Sequence, residues 1–421
     1  MEMDKCFMKK RYLIIISFLI LGSFCWLNFK MDSSTKGIIG VYIEGEYSSN
    51  VPLKEDGYYV EKIECDNGSS GEWNYVNWGL LTTNMSKKSK CNVYFRKDTI
   101  VNSIKNELDT TGKCPIVNDD GSVNVTSAES ENSLLCSAPD NYGTSYYYRG
   151  NVTNNYVYFA NLYWRIVRIN GDGSIRIIYD GTSAHENGEA SNDRIIGNSA
   201  FNEKSDDNAY VGYMYGTPSS ATYEETHANI NDSTMKIYLD KWYEEKIIAN
   251  GNSDYIADSY FCNDRRLTTL VATDYFNDLG YGVNPSRYYL FDFQNSWTSK
   301  ELINLQCFVN GDTFTVNDKK IGNAALKYPI ALANVSEVVL AGGYERENNK
   351  YPFYIGDFYW TMSPSFINNN GRTLVYGVYD NGRSAHAHYA DDVRGVKPVI
   401  NLKQGSLKQG DGNLNNPYMI N

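Results

Sequence analysis

The chain has 421 residues, 42% hydrophobic and 21% charged, an ordinary balance for a folded globular protein, with a formal net charge of −11. Residues 1–36 hold six Lys/Arg against three Asp/Glu, a net of +3, which leaves −14 for the rest of the chain. So acidic a remainder argues against nucleic acid and against docking on anionic lipid, since both attract clustered basic surface.

In chain order, the first signal is Tyr12 to Phe29, eighteen uncharged residues, long enough to cross a bilayer as a helix. Lys5, Lys9, Lys10 and Arg11 precede it, so residues 1–11 are expected in the cytoplasm as a short tail, with 12–29 as a transmembrane anchor. The expected location is therefore the cell membrane, single-pass, with the C-terminal part outside. A cleaved signal peptide and a lipidated Cys25 are the rival readings. No A-x-A-like site is present, and bulky Phe24 precedes Cys25 where a small residue is wanted. Residues 31–37 form a short polar stalk.

From 38 to 97 the pattern predicts a small β module: GIIGVYIEG, GYYVEKIEC and CNVYF, separated by turn-formers at Asp56-Gly57 and Asp66-Asn67-Gly68. Residues 98–140 read as a helix and a connector. Asp98 can cap the helix, with Ile100, Ile104 and Leu108 on one face. A larger domain runs from 141 to 403, followed by an extension over 404–421. Its hairpin signal is Leu162–Ile169 and Ser174–Tyr179 around Asn170-Gly171-Asp172-Gly173. Residues 232–247 predict an amphipathic helix with Met235, Leu239 and Trp242 inward. Val335–Ala341 predicts a shorter one, stopped by Gly342-Gly343. Strands close the domain over Leu374–Tyr379, Ser384–Tyr389 and Val396–Leu402. The fold class is thus α+β and β-rich.

Cys6 falls in the tail and Cys25 in the span, leaving Cys65, Cys91, Cys114, Cys136, Cys262 and Cys307 outside. An even number in an oxidising compartment predicts disulfides. Closeness in sequence favours 65 with 91, 114 with 136 and 262 with 307. A metal cluster would want C-x-x-C or short Cys/His spacing, and neither occurs.

The segments YVYFANLYWRIVRINGDGSIRIIY, YVGYMYG, KIYLDKWYEE, YIADSYFCNDR, LANVSEVVLAGG, FYWTMSPS and GVKPVINLK occur in this order. Over residues 141–403 the chain resembles a family of surface proteins of Gram-positive-type gut bacteria. The C-terminal domain of that family is C-type-lectin-like, in the variant seen in formylglycine-generating enzymes. Trp360, Ser363-Pro364 and Gly395-Val396-Lys397-Pro398 stand at the places of its core strand, turn and closing strand. The resemblance implies a scaffold with a tolerant, loop-built binding face, and it names no ligand. The Glu-Pro-Asn, Gln-Pro-Asp and Trp-Asn-Asp motifs of calcium-dependent lectins are absent. Cys262 and Cys307 are the only candidates for a reactive pair, and their surroundings suit a structural bridge.

The leading candidate for a ligand patch is the C-terminal hairpin: Tyr379, Asp380, His386, His388, Tyr389 and Asp391. The period of two would put His386 and His388 on one face of a strand, which makes them a weak metal candidate beside their reading as surface residues. Adjacent acids (Asp206-Asp207, Glu224-Glu225, Glu244-Glu245, Asp391-Asp392) read as solvated charge rather than a catalytic pair. No nucleophile or nucleotide motif occurs, so no catalytic residue and no cofactor are expected. Thirty-six tyrosines suit strands first and wet recognition surfaces second, with Tyr146–148, Tyr210/213/215 and Tyr288-Tyr289 as clusters. The expectation is a membrane-anchored, adhesin-like protein that binds a glycan or another surface protein. An extracellular enzyme and a structural coat protein are the alternatives.

Overall fold

The computed structural model describes residues 37–125, 132–220, 222–267, 303–343, 348–368, 370–383 and 386–420. The proposed anchor Tyr12–Phe29, Cys6, Cys25 and the Tyr288-Tyr289 pair lie outside the described residues. Among those described, no helix is long and apolar enough to cross a membrane. The described chain is β-rich with few helices. It divides into a small unit, drawn mainly from residues before Lys97, and a large one running from Lys97 to the C-terminus.

In the small unit Ile38–Ile43 pairs antiparallel with Glu46–Ser48 and parallel with Lys90–Lys97. Tyr58–Cys65 completes the four-stranded sheet beyond Lys90–Lys97. Strand alternation along Lys90–Lys97 buries Cys91, Val93 and Phe95 on one face. The hairpin Ser70–Asn74/Gly79–Thr83 brings Trp73 to that core, edge-on to Phe95 at 5.0 Å. So small a core gains from a covalent tie, and Cys65–Cys91 supplies one between adjacent strands.

The large unit is built on an eight-stranded sheet whose centre is the hairpin Leu162–Ile169/Ile175–Gly181. Both strands are buried almost end to end, because other elements cover both faces. Pro398–Leu402 and then Ile330–Leu332 extend the sheet beyond Ile175–Gly181. On the opposite edge, the strand Leu162–Ile169 is shared. Gly143–Arg149 pairs with its C-terminal end and Tyr156–Phe159 with its N-terminal end. The tail strand Tyr418–Met419 then adds parallel to Tyr156–Phe159. A five-stranded sheet holds Asn198–Ala200, Val393–Gly395, Tyr359–Ile367, Thr373–Val378 and, at its edge, His386–Tyr389.

The helices follow their sequence signals with instructive differences. Asp98 does cap Thr99–Lys105, accepting from the Val101 N–H at 3.1 Å. That helix stops before Leu108, and its buried residues are Val101 and Ile104 rather than Ile100. The connector reading of 98–140 also needs correction, because Leu134–Asp140 is the edge strand of the large sheet. Ser and Pro between its buried Leu135, Cys136 and Ala138 hide the alternation. Thr234–Tyr243 runs into a π-helical turn, Glu244–Ile248, which brings Ile247 inward with Met235, Leu239 and Tyr243. Trp242 instead packs half-buried against Trp164 and Tyr179, 6.1 Å from each. Val335–Ala341 starts from a full capping box between Asn334 and Glu337 and ends on Gly342 at φ 119°. Cys114–Cys136 and Cys262–Cys307 complete the three disulfides.

Candidate functional site

The hairpin patch expected from the sequence is divided by the strand geometry. His388 and Tyr389 are neighbours on the edge strand and so face opposite sides. His388 lies 4.3 Å from the Phe358 ring and 6.0 Å from Tyr379. The Arg394 guanidinium is 3.0 Å from its Nδ1, and Asp392 is 3.2 Å away. Burial lowers the His388 pKa, opposed by Asp392 and aided by Arg394. A fixed guanidinium at the ring nitrogen is a poor setting for a cation. Among the described residues no group of three His, Cys, Asp or Glu could hold a metal ion. The His386 side chain lies outside the described residues, and Asp380 is an exposed turn residue. On the other side Arg372 stacks on Tyr389 at 3.6 Å and pairs with Asp391 at 2.5 Å. Tyr379 and His388 therefore meet, while Tyr389 and Asp391 form a separate, internally satisfied pair.

The other described candidates are taken up by the core or by local hydrogen bonds. Tyr147, Tyr148, Tyr210 and Tyr213 are core residues. Asp207 accepts from the Ala209 and Ser219 N–H groups, and Glu244 bonds Lys327 and Tyr328.

A groove of about 710 Å³ opens instead where four segments converge on the strand Tyr156–Phe159. Asn151 and Thr153 line one part, Glu186 and Asn187 another, Asp411 with Asn413–Asn416 a third, and Lys350 adds a cation from a fourth segment. The tail loop is held against the sheet because the Tyr156 N–H donates to the Gly412 carbonyl at 2.9 Å. Gly412 sits at φ 78°, and a Cβ there would collide with the Asn154 carbonyl, so the close approach requires glycine. The turn closes on itself through Asp411 N–H to Asn416 O and Asn416 N–H to Asn413 O. Asp411 is held below the usual carboxylate range, first by the Asn413 N–H.

One buried arginine organises the groove floor. The Arg165 guanidinium lies 3.8 Å over the Tyr156 ring. It donates to the Val152 carbonyl at 2.8 Å, Asn155 Oδ1 at 2.6 Å and Asn187 Oδ1 at 3.0 Å. Asn187 in turn donates to Asn151 Oδ1 and the Val152 carbonyl, at 3.0 and 2.7 Å. The loop carrying Glu186 and Asn187 is also clamped by His185, whose two ring nitrogens meet Glu189 at 2.8 Å and Asp193 at 2.7 Å.

Beneath this floor is a fully buried cluster of one carboxylate and three cations. Asp180 Oδ1 meets Arg194 at 2.7 Å and Lys397 at 3.2 Å, and its Oδ2 faces Arg165 at 3.9 Å. Burial pushes the Asp180 carboxyl up, but Arg194, Lys397 and Arg165 outweigh it and hold it ionised. Burial, only partly opposed by Asp180, lowers the Lys397 ammonium to about 7. The unfolded chain keeps the Lys397 proton up to a pKa near 10.5, so between the two values it binds more protons than the folded chain. Stability should therefore rise with pH from about 7 to 9, by on the order of 1 kcal/mol per unit. Above that range the buried tyrosines reverse the trend, because their raised pKa values let the unfolded chain ionise first. Denaturant titrations at several pH values check this. Lys397→Met should flatten the slope, and an unchanged slope in that variant would refute the assignment.

Comparison of the chain with protein-family models, curated proteins and solved structures returned no match. The fold and site define a β-rich, disulfide-bonded protein with a polar surface groove over a buried charged cluster. Asn151, Asn187 and Asn413–Asn416 were not among the residues the sequence singled out, and 413–416 fell in the expected C-terminal extension. Their signal was the concentration of asparagine in Gly-punctuated stretches, most clearly GDGNLNNPY at the tail.

Proposed function

We propose that the protein is a non-catalytic binding protein of the bacterial surface that recognises a glycan through the groove over Tyr156. On this reading the large unit belongs to the C-type-lectin-like scaffold that its motifs resemble, and the chain is held at the membrane by Tyr12–Phe29. The observation that carries the reading is the lining of the groove. The exposed Asn415 amide and the Asn151 Nδ2 stand beside Thr153, Glu186 and Lys350, so the lining offers both donors and acceptors, the pairing a ring of hydroxyls requires. The buried carboxylates support binding over turnover, since Asp180 and Glu337 are fully enclosed and locked in ion pairs, out of a ligand's reach. The six described cysteines are all bridged, which leaves no free thiol among them.

The test is binding of the full chain to a panel of glycans and cell-wall fragments, with and without EDTA. The expected result is saturable, EDTA-insensitive binding without release of product. Asn415→Ala removes an exposed groove amide and should weaken it roughly tenfold, about the worth of one or two hydrogen bonds. Binding to no glycan would refute the reading and leave a protein partner as the alternative. Product release on the panel would establish an enzyme instead.

A further inference from the structure

A second cleft, of about 310 Å³, lies beside the tail strand and differs in chemistry from the groove over Tyr156. Its lining holds no charged side chain. Tyr158 and Tyr255 present half-buried rings, Phe159 closes the floor edge-on to Tyr255 at 6.1 Å, and Met419 and Ile420 add an aliphatic wall. The rim carries amides. Ala160 and Asn161 form the turn between Tyr156–Phe159 and Leu162–Ile169, with φ of 55° and 61°. That conformation suits asparagine far better than alanine. It holds the exposed Asn161 amide at the mouth, with no partner among the described residues. Asn250 spends its Nδ2 on the Glu245 and Lys246 carbonyls at 3.2 and 3.0 Å, leaving Oδ1 as an acceptor.

Resting on the glycan reading above, we propose that this cleft is a separate subsite selective for an N-acetylated amino sugar. The lack of charge calls for a neutral ligand. Aromatic faces take the C–H face of a pyranose ring. The Met419–Ile420 wall gives a methyl group apolar contact that it cannot give a hydroxyl, and the rim amides match the N–H and C=O of an acetamido group. The volume lies at the low end of ligand sites, the size for one sugar unit rather than a chain.

The matched probes are N,N′-diacetylchitobiose and cellobiose, which differ in acetamido against hydroxyl. Titration calorimetry on the full chain should give at least tenfold tighter binding of the diacetylated sugar. Tyr158→Ala should abolish that preference. Asn161→Gly, which keeps the positive φ and removes only the amide, should reduce it several-fold. Asn415→Ala in the other groove should leave the ratio unchanged. Equal affinities, or a preference that follows Asn415→Ala instead of the Tyr158 and Asn161 variants, would overturn the proposal. If neither disaccharide binds while other glycans on the panel do, this subsite assignment fails and the broader reading stands. If no glycan binds at all, both fail.

Discussion

Replacing Asp180 by asparagine should destabilise the large unit by about 3–5 kcal/mol, the cost of leaving buried charge uncompensated. Asparagine keeps the shape of the side chain and removes its charge. Arg165, Arg194 and Lys397, all fully buried, then share no counterion. Lys397 can respond by shedding its proton, since burial has already brought it to about 7. The arginines cannot. Thermal melting should fall by roughly ten degrees. The groove should suffer too, because Arg165 ties Val152, Asn155 and Asn187 together. A double variant, Asp180→Asn with Lys397→Met, removes one surplus cation and should recover part of the loss. Strict additivity of the two substitutions would show that the cluster does not act as a unit.

Glu337→Gln should cost a similar amount, about 3 kcal/mol, for a related reason. Glu337 Oε1 is shared by Arg168, at 3.2 Å, and by Arg176 in a shorter contact, with all three buried. Burial pushes the Glu337 carboxyl up, yet Arg176 and Arg168 hold it below its usual range. Arg168 keeps a second acid, Asp140, at 2.9 Å, so the damage falls mainly on Arg176. That residue retains the Tyr260 carbonyl, Asn401 and the face of the Phe261 ring, none of them charged. Glu337 also closes a capping box, accepting from the Asn334 N–H at 3.1 Å. Glutamine preserves the cap, whereas Glu337→Ala loses cap and charge together and should approach 5 kcal/mol. Chemical unfolding of the two variants separates the contributions. Equal losses would mean that the cap contributes nothing. Both carboxylates, Asp180 and Glu337, have depressed pKa values. The stability they contribute is therefore complete above the unfolded carboxylate pKa of about 4 and drains away as pH falls below it.

Much of the architecture was written in local sequence. Asn170–Gly173 turns the central hairpin, Asn334 and Glu337 open a helix, and Gly342 ends it, because caps and turns involve residues a few positions apart. The use of six cysteines in bridges was legible from their number and spacing. Leu134–Asp140 was not legible as a strand, since its place in the sheet depends on Gly143–Arg149 rather than on its own weak alternation. The inward turn of Ile247 was hidden by a π-helical residue that breaks the regular period. The candidate site was the least legible part of all. The sequence singled out the hairpin at 379–391 by its unusual residues, yet folding pairs most of them with Arg372, Arg394 and Phe358. The groove draws on segments near 151, 187 and 413, and its floor on Arg165, Asp180, Arg194 and Lys397. By itself, then, the sequence determined the β-rich class, the main hairpin and helix caps, and the disulfide chemistry. Only the tertiary structure decided which exposed amides share a surface and which charges share a core. The pair Asp180 and Lys397 lies 217 positions apart, and no local pattern encodes such a distance.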